Sequence, residues 1–194
     1  MIQRIISKEE QEKRKRKNQF ILGGILIFVM IASTLGYSFS SSDKNNVNNE
    51  NSNKISYNGY EFVNQNGFWQ LNLGDFQFSF TNNPNQVQEI NAVVNPLSVY
   101  SGKALYVSSE NIRAEFELNR VFNSVILRKQ YACLEGENCN NDYPVKTCVD
   151  NFIIIKEDEV ANITRRDNCV FISGPEENLT AVVDEFLFKT IGVK

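Results

Sequence analysis

The sequence predicts an α+β domain carried outside a membrane on a single N-terminal helix. Three observations lead there: an uncharged apolar run over residues 20–39 behind a cationic tract, period-two apolar alternation from Tyr57 to Thr81, and a helical apolar stripe that follows Pro175. In full, the expected fold is a transmembrane helix and one ectodomain with an antiparallel β-meander, a further small sheet and two packing helices.

The apolar run comes first. Twenty residues, Phe20 to Phe39, make a helix of roughly 30 Å at ~1.5 Å per residue, about the thickness of a hydrocarbon core. Lys13, Arg14, Lys15, Arg16 and Lys17 stand on its N-terminal side alone, which orients residues 1–19 as a basic cytoplasmic tail and sends the rest outward. The expected location is therefore a single-pass cell-membrane protein with a signal-anchor. A cleaved signal peptide is the rival, with Thr34 and Gly36 as a small-x-small site. Its apolar stretch would be only ~7–15 residues, and Tyr37 reads instead as an interfacial anchor. Ala32 and Gly36 have the small-xxx-small spacing that lets two membrane helices approach, so self-association joins the lipid as a candidate partner.

Residues 40–54 are nearly devoid of apolar side chains and are expected to form a disordered Asn/Ser-rich tether spanning on the order of 20 Å. Residues 55–194, about 140 in number, suffice for one hydrophobic core.

Within this domain Tyr60 and Phe62, then Trp69, Leu71 and Leu73, then Phe76, Phe78 and Phe80 alternate with polar residues. Turns at Asn66-Gly67 and Gly74-Asp75 make them three antiparallel strands. Asn83-Pro84 and Asn95-Pro96 break the chain before a short strand at Ala104 to Val107. A helix is expected from Glu110 to Tyr131, capped by Ser108 or Ser109, with Ile112, Phe116, Phe122, Val125 and Ile126 on its buried side. Strict alternation of Ile112, Ala114, Phe116 and Leu118 also fits a strand; the lack of turn residues before Gly136 favours the helix.

Phe152–Ile155 and Cys169–Ile172 read as strands buried on both faces, with a short strand at 163–165 between them. Pro175 is expected in the first turn of the last helix, with Glu176 and Glu177 at its positive end. Leu179, Val182, Val183, Phe186 and Ile191 form its stripe, and Gly192 its left-handed cap.

The four cysteines all follow the membrane run, where thiols oxidise, so two structural disulfides are expected. Cys133 and Cys139 flank the turn-prone 135–138 stretch. Cys148 lies just before one buried strand and Cys169 begins another, so they would meet if those strands are adjacent and parallel, closing a loop worth ~3 kcal/mol. Spacing of the C-x-x-C kind, which a zinc or redox site wants, is missing.

Histidine is absent, which removes Ser-His-Asp and Cys-His catalysis and histidine metal sites from this chain. The formal charge of −3 hides about +4 before the apolar run and about −7 after it, so a basic groove for nucleic acid is not expected outside. The oxygen-rich 135–142 stretch lacks the alternation of a calcium loop, and Ser101-Gly102-Lys103 lacks the upstream glycine of a phosphate loop. No catalytic, cofactor or metal residue is assigned. Asn162 and Asn178 lie in N-x-Thr triplets and are candidate glycosylation acceptors, making a glycoprotein. The expectation is a disulfide-stabilised ectodomain that binds an unidentified protein or envelope ligand, or supports envelope assembly. The alternatives are a membrane-anchored carboxylate-dependent hydrolase of envelope material and an accessory subunit of a transporter or secretion complex.

Overall fold

The computed structural model describes residues 21, 23–25, 30, 53–139 and 142–194. The expected tail, most of the apolar run and the tether up to residue 52 lie outside them, and with them Lys13 to Lys17, Ala32 and Gly36. Residues 21, 23–25 and 30 are helical. Among the described residues no helix is long and apolar enough to cross a membrane. Of the chain's two units, Met1–Asn48 and Asn49–Lys194, the second carries every described strand.

That unit is α+β, with two sheets enclosing two helices. The first sheet is an antiparallel meander of four strands in chain order: β1 (Lys54–Tyr57), β2 (Tyr60–Gln65), β3 (Phe68–Leu73) and β4 (Phe76–Phe80). The expected three strands thus gain one. Asn58-Gly59 takes positive φ of 48° and 84° just as Asn66-Gly67 does, turning the chain back on β1 and drawing Lys54 out of the expected tether to pair with Val63.

The second sheet is larger than expected. It runs β10-β11-β9-β5-β6, where β5 is Ala104–Ser109, β6 Arg128–Tyr131, β9 Phe152–Glu157, β10 Asn162–Arg166 and β11 Cys169–Gly174. β11, β9, β5 and β6 are parallel; only the edge strand β10 is antiparallel. A short parallel pair, β7 (Cys133–Leu134) with β8 (Val145–Lys146), stands apart.

Helix α1 (Ile112–Phe122) stops nine residues earlier than its expected end at Tyr131. Ser124 Oγ donates to the Val121 carbonyl, and the Val125 carbonyl and Leu127 N–H pair with Gly102 and Lys103, so the chain leaves the helix and enters β6 beside β5. Its buried face is also not the expected one. Ala114, Leu118, Val121 and Phe122 point inward, while Ile112 and Phe116, about 200° round the helix from Ala114 and Leu118, are 70 % and 55 % exposed. The cap is Asn111, whose side chain accepts from the N–H groups of Arg113 and Ala114; Ser109 Oγ instead braces Asn111.

Helix α2 (Leu179–Thr190) begins after a turn rather than at Pro175. The Asn178 N–H donates to the Pro175 carbonyl, so Glu176 and Glu177 sit in that turn, ahead of the helix. Gly192, at φ 81°, lets the Val193 N–H return to the Phe188 carbonyl, closing the helix as its residue type suggests.

α2 is the centre of the core. Phe188 meets Phe62 and Phe80 of the meander at 5.8 and 4.6 Å, and the helix also packs on β11 and β10. Ile153 and Ile155 of β9 share this core, whereas Phe152 and Ile154 join a second cluster with Tyr106, Leu134 and Cys169 on the sheet's other face. Cover on both faces is why β9 reads as an unbroken apolar run. The domain is closed by its C-terminus: Asn58 Nδ2 donates to the Val193 carbonyl and Tyr60 Oη to that of Gly192.

Candidate functional site

The parallel order of the second sheet fixes where a crevice forms. The chain passes from β5 through α1 to β6 on one side, then returns to place β9 on the other. Connections leaving the carboxyl ends of two neighbouring strands in opposite directions cannot both cover the gap, and such gaps are where open parallel sheets bind ligands. Here the gap lies beyond Ser109 of β5, Tyr131 of β6 and Lys156 of β9. A cavity of about 430 Å³ occupies it.

Its floor belongs to the face of the second cluster. Ser108 pairs in register with Ile154, so Ser108 and Lys156 project to the same side as Phe152 and Ile154. Its wall is the ring closed by the Cys133–Cys139 disulfide, whose Cα atoms are 6.0 Å apart. β7 and β8 support that ring, and Glu137, held at its tip by a hydrogen bond from its N–H to the Leu134 carbonyl, reaches Lys156 Nζ at 2.7 Å. Lys146 at the base of the wall lies 4.3 Å over the Tyr106 ring.

Tyr131 and Tyr143 form the aromatic side of the crevice, stacked at 5.8 Å with 25° between their planes and each just over two-fifths exposed. Tyr131 Oη donates to Glu115 Oε1 at 2.6 Å, and Lys129 pairs with the same carboxylate. Because that bond uses the phenol proton, Glu115 is the main cause that pushes Tyr131 up to about 12, with desolvation second. The ring is thus fixed in place while its hydroxyl is spoken for. At the edge, Asn111 Nδ2 donates to Glu157 Oε1 at 3.1 Å and ties the start of α1 to the end of β9.

A second group of polar side chains lies inside the domain. Glu117 of α1 accepts from the Thr81 N–H and hydroxyl and from Arg120 Nη1, the last two at 2.6 Å. Asp184 of α2 accepts through Oδ2 from the N–H and Nδ2 of Asn82. Burial first, and Glu117 second, push the Asp184 carboxyl well above its ordinary range, while the Asn82 hydrogen bonds pull the other way. Asp184 Oδ1 is buried and meets no hydrogen-bond partner among the described residues. Glu185, also fully buried, is met by Lys194 at 2.7 Å and Lys189 at 3.3 Å. These groups staple α1, α2, the end of β4 and the C-terminus together and line no part of the crevice.

Sequence reasoning singled out neither group. The signal for the interior acids was present: Val182, Val183, Phe186, Leu187 and Phe188 leave α2 no polar side, so Asp184 and Glu185 between them have no route to water. The cysteines are joined as Cys133–Cys139 and Cys148–Cys169, the latter with Cα atoms 4.9 Å apart where β11 starts beside β9. Asn162 on the edge strand β10 and Asn178 before α2 are both exposed. In the oxygen-rich stretch Glu137 is engaged by Lys156, and Asn140 and Asn141 lie outside the described residues.

The chain matches no protein-family model, no curated protein and no solved structure.

Proposed function

We propose that the protein is a membrane-tethered recognition module, with residues 20–39 spanning the lipid, residues 1–19 in the cytoplasm and the α+β domain outside. The crevice beyond β5, β6 and β9 is its binding site. Support for the location comes from the one-sided cationic tract and from two disulfides, which form and persist in oxidising surroundings. Support for binding is carried by one observation: a cavity at the carboxyl ends of parallel strands, with two half-exposed tyrosines on one side and a disulfide-fixed ring on the other. The ligand is an envelope component or a protein partner, held non-covalently. For the hydrolase alternative, the electrostatically linked carboxyl pair is Glu117 with Asp184, which lies in the interior, away from the crevice, and is held by Thr81, Arg120 and Asn82.

The test is photo-crosslinking in intact cells, with benzoylphenylalanine replacing Tyr143 in one strain and Asn72, on the outer face of the meander, in another. A discrete adduct is expected at 143 and not at 72. Equal labelling at both positions, or none at 143, overturns the reading. Protease added outside should digest residues 55–194 and spare the tail; protection of the domain overturns the location.

A further inference from the structure

Resting on the crevice reading above, we infer that the crevice selects an organic cation, the ammonium or guanidinium end of a basic side chain, and not an anion or a neutral sugar. The argument is charge complementarity inside one cavity. Two charges on its walls, Glu137 and Lys156, neutralise each other at 2.7 Å. The remaining one is Glu110, exposed directly after β5 and with no ion-pair partner among the described residues. The site therefore carries one uncompensated negative charge beside two aromatic faces.

Aromatic rings attract cations through the negative face of their quadrupole, and a carboxylate close by adds a charge-assisted hydrogen bond. The same chemistry already operates next door, where the Lys129 ammonium pairs with Glu115 and lies 5.1 Å from the Tyr131 ring. In the crevice Tyr143 and Glu110 offer that combination, and among the described residues no cationic side chain pairs with Glu110. The apolar stem of a lysine or arginine side chain would lie along the tyrosine rings, with Ser108 and Asn138 taking remaining hydrogen bonds. An anion would meet Glu110 instead, with Lys156 already paired.

The experiment titrates the full chain in detergent micelles while following the ring resonances of Tyr131 and Tyr143. Four probes are used: N-acetyl-lysinamide, cadaverine, N-acetyl-glutamate and glucose. The lysine probe should shift both rings, and Glu110→Gln should weaken it about tenfold, as should Tyr143→Ala. Glu110→Gln guards against loss of fold, because this side chain is exposed and makes no hydrogen bond or ion pair among the described residues. Binding of cadaverine as well assigns recognition to the ammonium alone; binding of N-acetyl-lysinamide alone assigns it to a peptide, and either supports the inference. If glucose or N-acetyl-glutamate moves the rings and the cations do not, the ligand class is wrong while the crevice stands. If no probe moves them although position 143 crosslinks in cells, the cation inference again falls alone. Silence in both experiments removes the crevice as well.

Discussion

Asp184 of α2 feels the charge of Glu117 of α1 across the contact between the two helices, and each is anchored from behind by the chain that leaves β4, through Asn82 and Thr81. Burial and that neighbouring charge both favour the neutral acid at Asp184, which limits the charge enclosed between the helices.

The pH consequence has a definite sign. The folded-state pKa of Asp184 is raised, so its contribution to stability is fully present below the ordinary carboxylate value of about 4 and is lost as pH rises through the raised value. Asp184→Asn keeps the shape of the side chain and cannot ionise. Relative to the parent, this variant should gain stability as pH climbs above about 4. Paired thermal melts from about pH 4 upward measure the difference, and a difference that stays flat with pH refutes the raised Asp184 pKa.

Core and surface aromatics separate in the same assay. Phe188 touches both Phe62 and Phe80 and is fully buried, so Phe188→Ala opens a cavity between helix and meander and should cost about 4 kcal/mol. Phe116→Ala, on the outward side of α1, should change stability by no more than about 0.5 kcal/mol. Urea unfolding midpoints decide it; equal losses would place Phe116 inside and contradict the rotation of α1.

That rotation illustrates how far the residues announce the structure. The meander was legible because alternation of Phe and Leu with amides, punctuated by Asn66-Gly67, leaves one register that buries Phe62, Trp69, Phe78 and Phe80 together. Asn58-Gly59 carries the same turn chemistry, yet Lys54 to Tyr57 are too polar to look like a strand until β2 lies alongside. In α1 the apolar residues occupy two opposite sides, and only the neighbours α2 and β5 decide which side is covered. The crevice is the least legible part. Ser108, Glu110, Tyr131, Glu137, Tyr143 and Lys156 come from separate segments with no fixed spacing, and it is the order of parallel strands that gathers them.

The two disulfides should prove unequal. Cys148–Cys169 closes a span of 21 residues and Cys133–Cys139 one of 6, so loop-closure entropy assigns them about 3 and about 2 kcal/mol. Cys148→Ala with Cys169→Ala should lower the urea midpoint more than Cys133→Ala with Cys139→Ala. The second double variant should instead free the wall that holds Glu137 against Lys156, seen as faster amide exchange over residues 133–139 with β9 and β11 still protected. Uniform loss of protection across the domain would show that the small ring supports the whole fold and not the crevice alone.

Tyr131 gives a local probe of the site's electrostatics. Its pKa is raised to about 12 chiefly because its proton is donated to the Glu115 carboxylate. A raised folded-state value means that this bond stabilises the domain fully below the free phenol's pKa of about 10, and that the gain disappears as pH passes through 12. Glu115→Gln preserves an acceptor oxygen and removes the charge, so the Tyr131 titration should fall back toward 10, and Lys129 loses its partner. Labelling the tyrosine ring carbons and following the Tyr131 resonance from pH 8 to 12 reads this directly. An unchanged titration in Glu115→Gln would mean that desolvation, the second cause, sets the value, and that the carboxylate is not what fixes the ring at the mouth of the crevice.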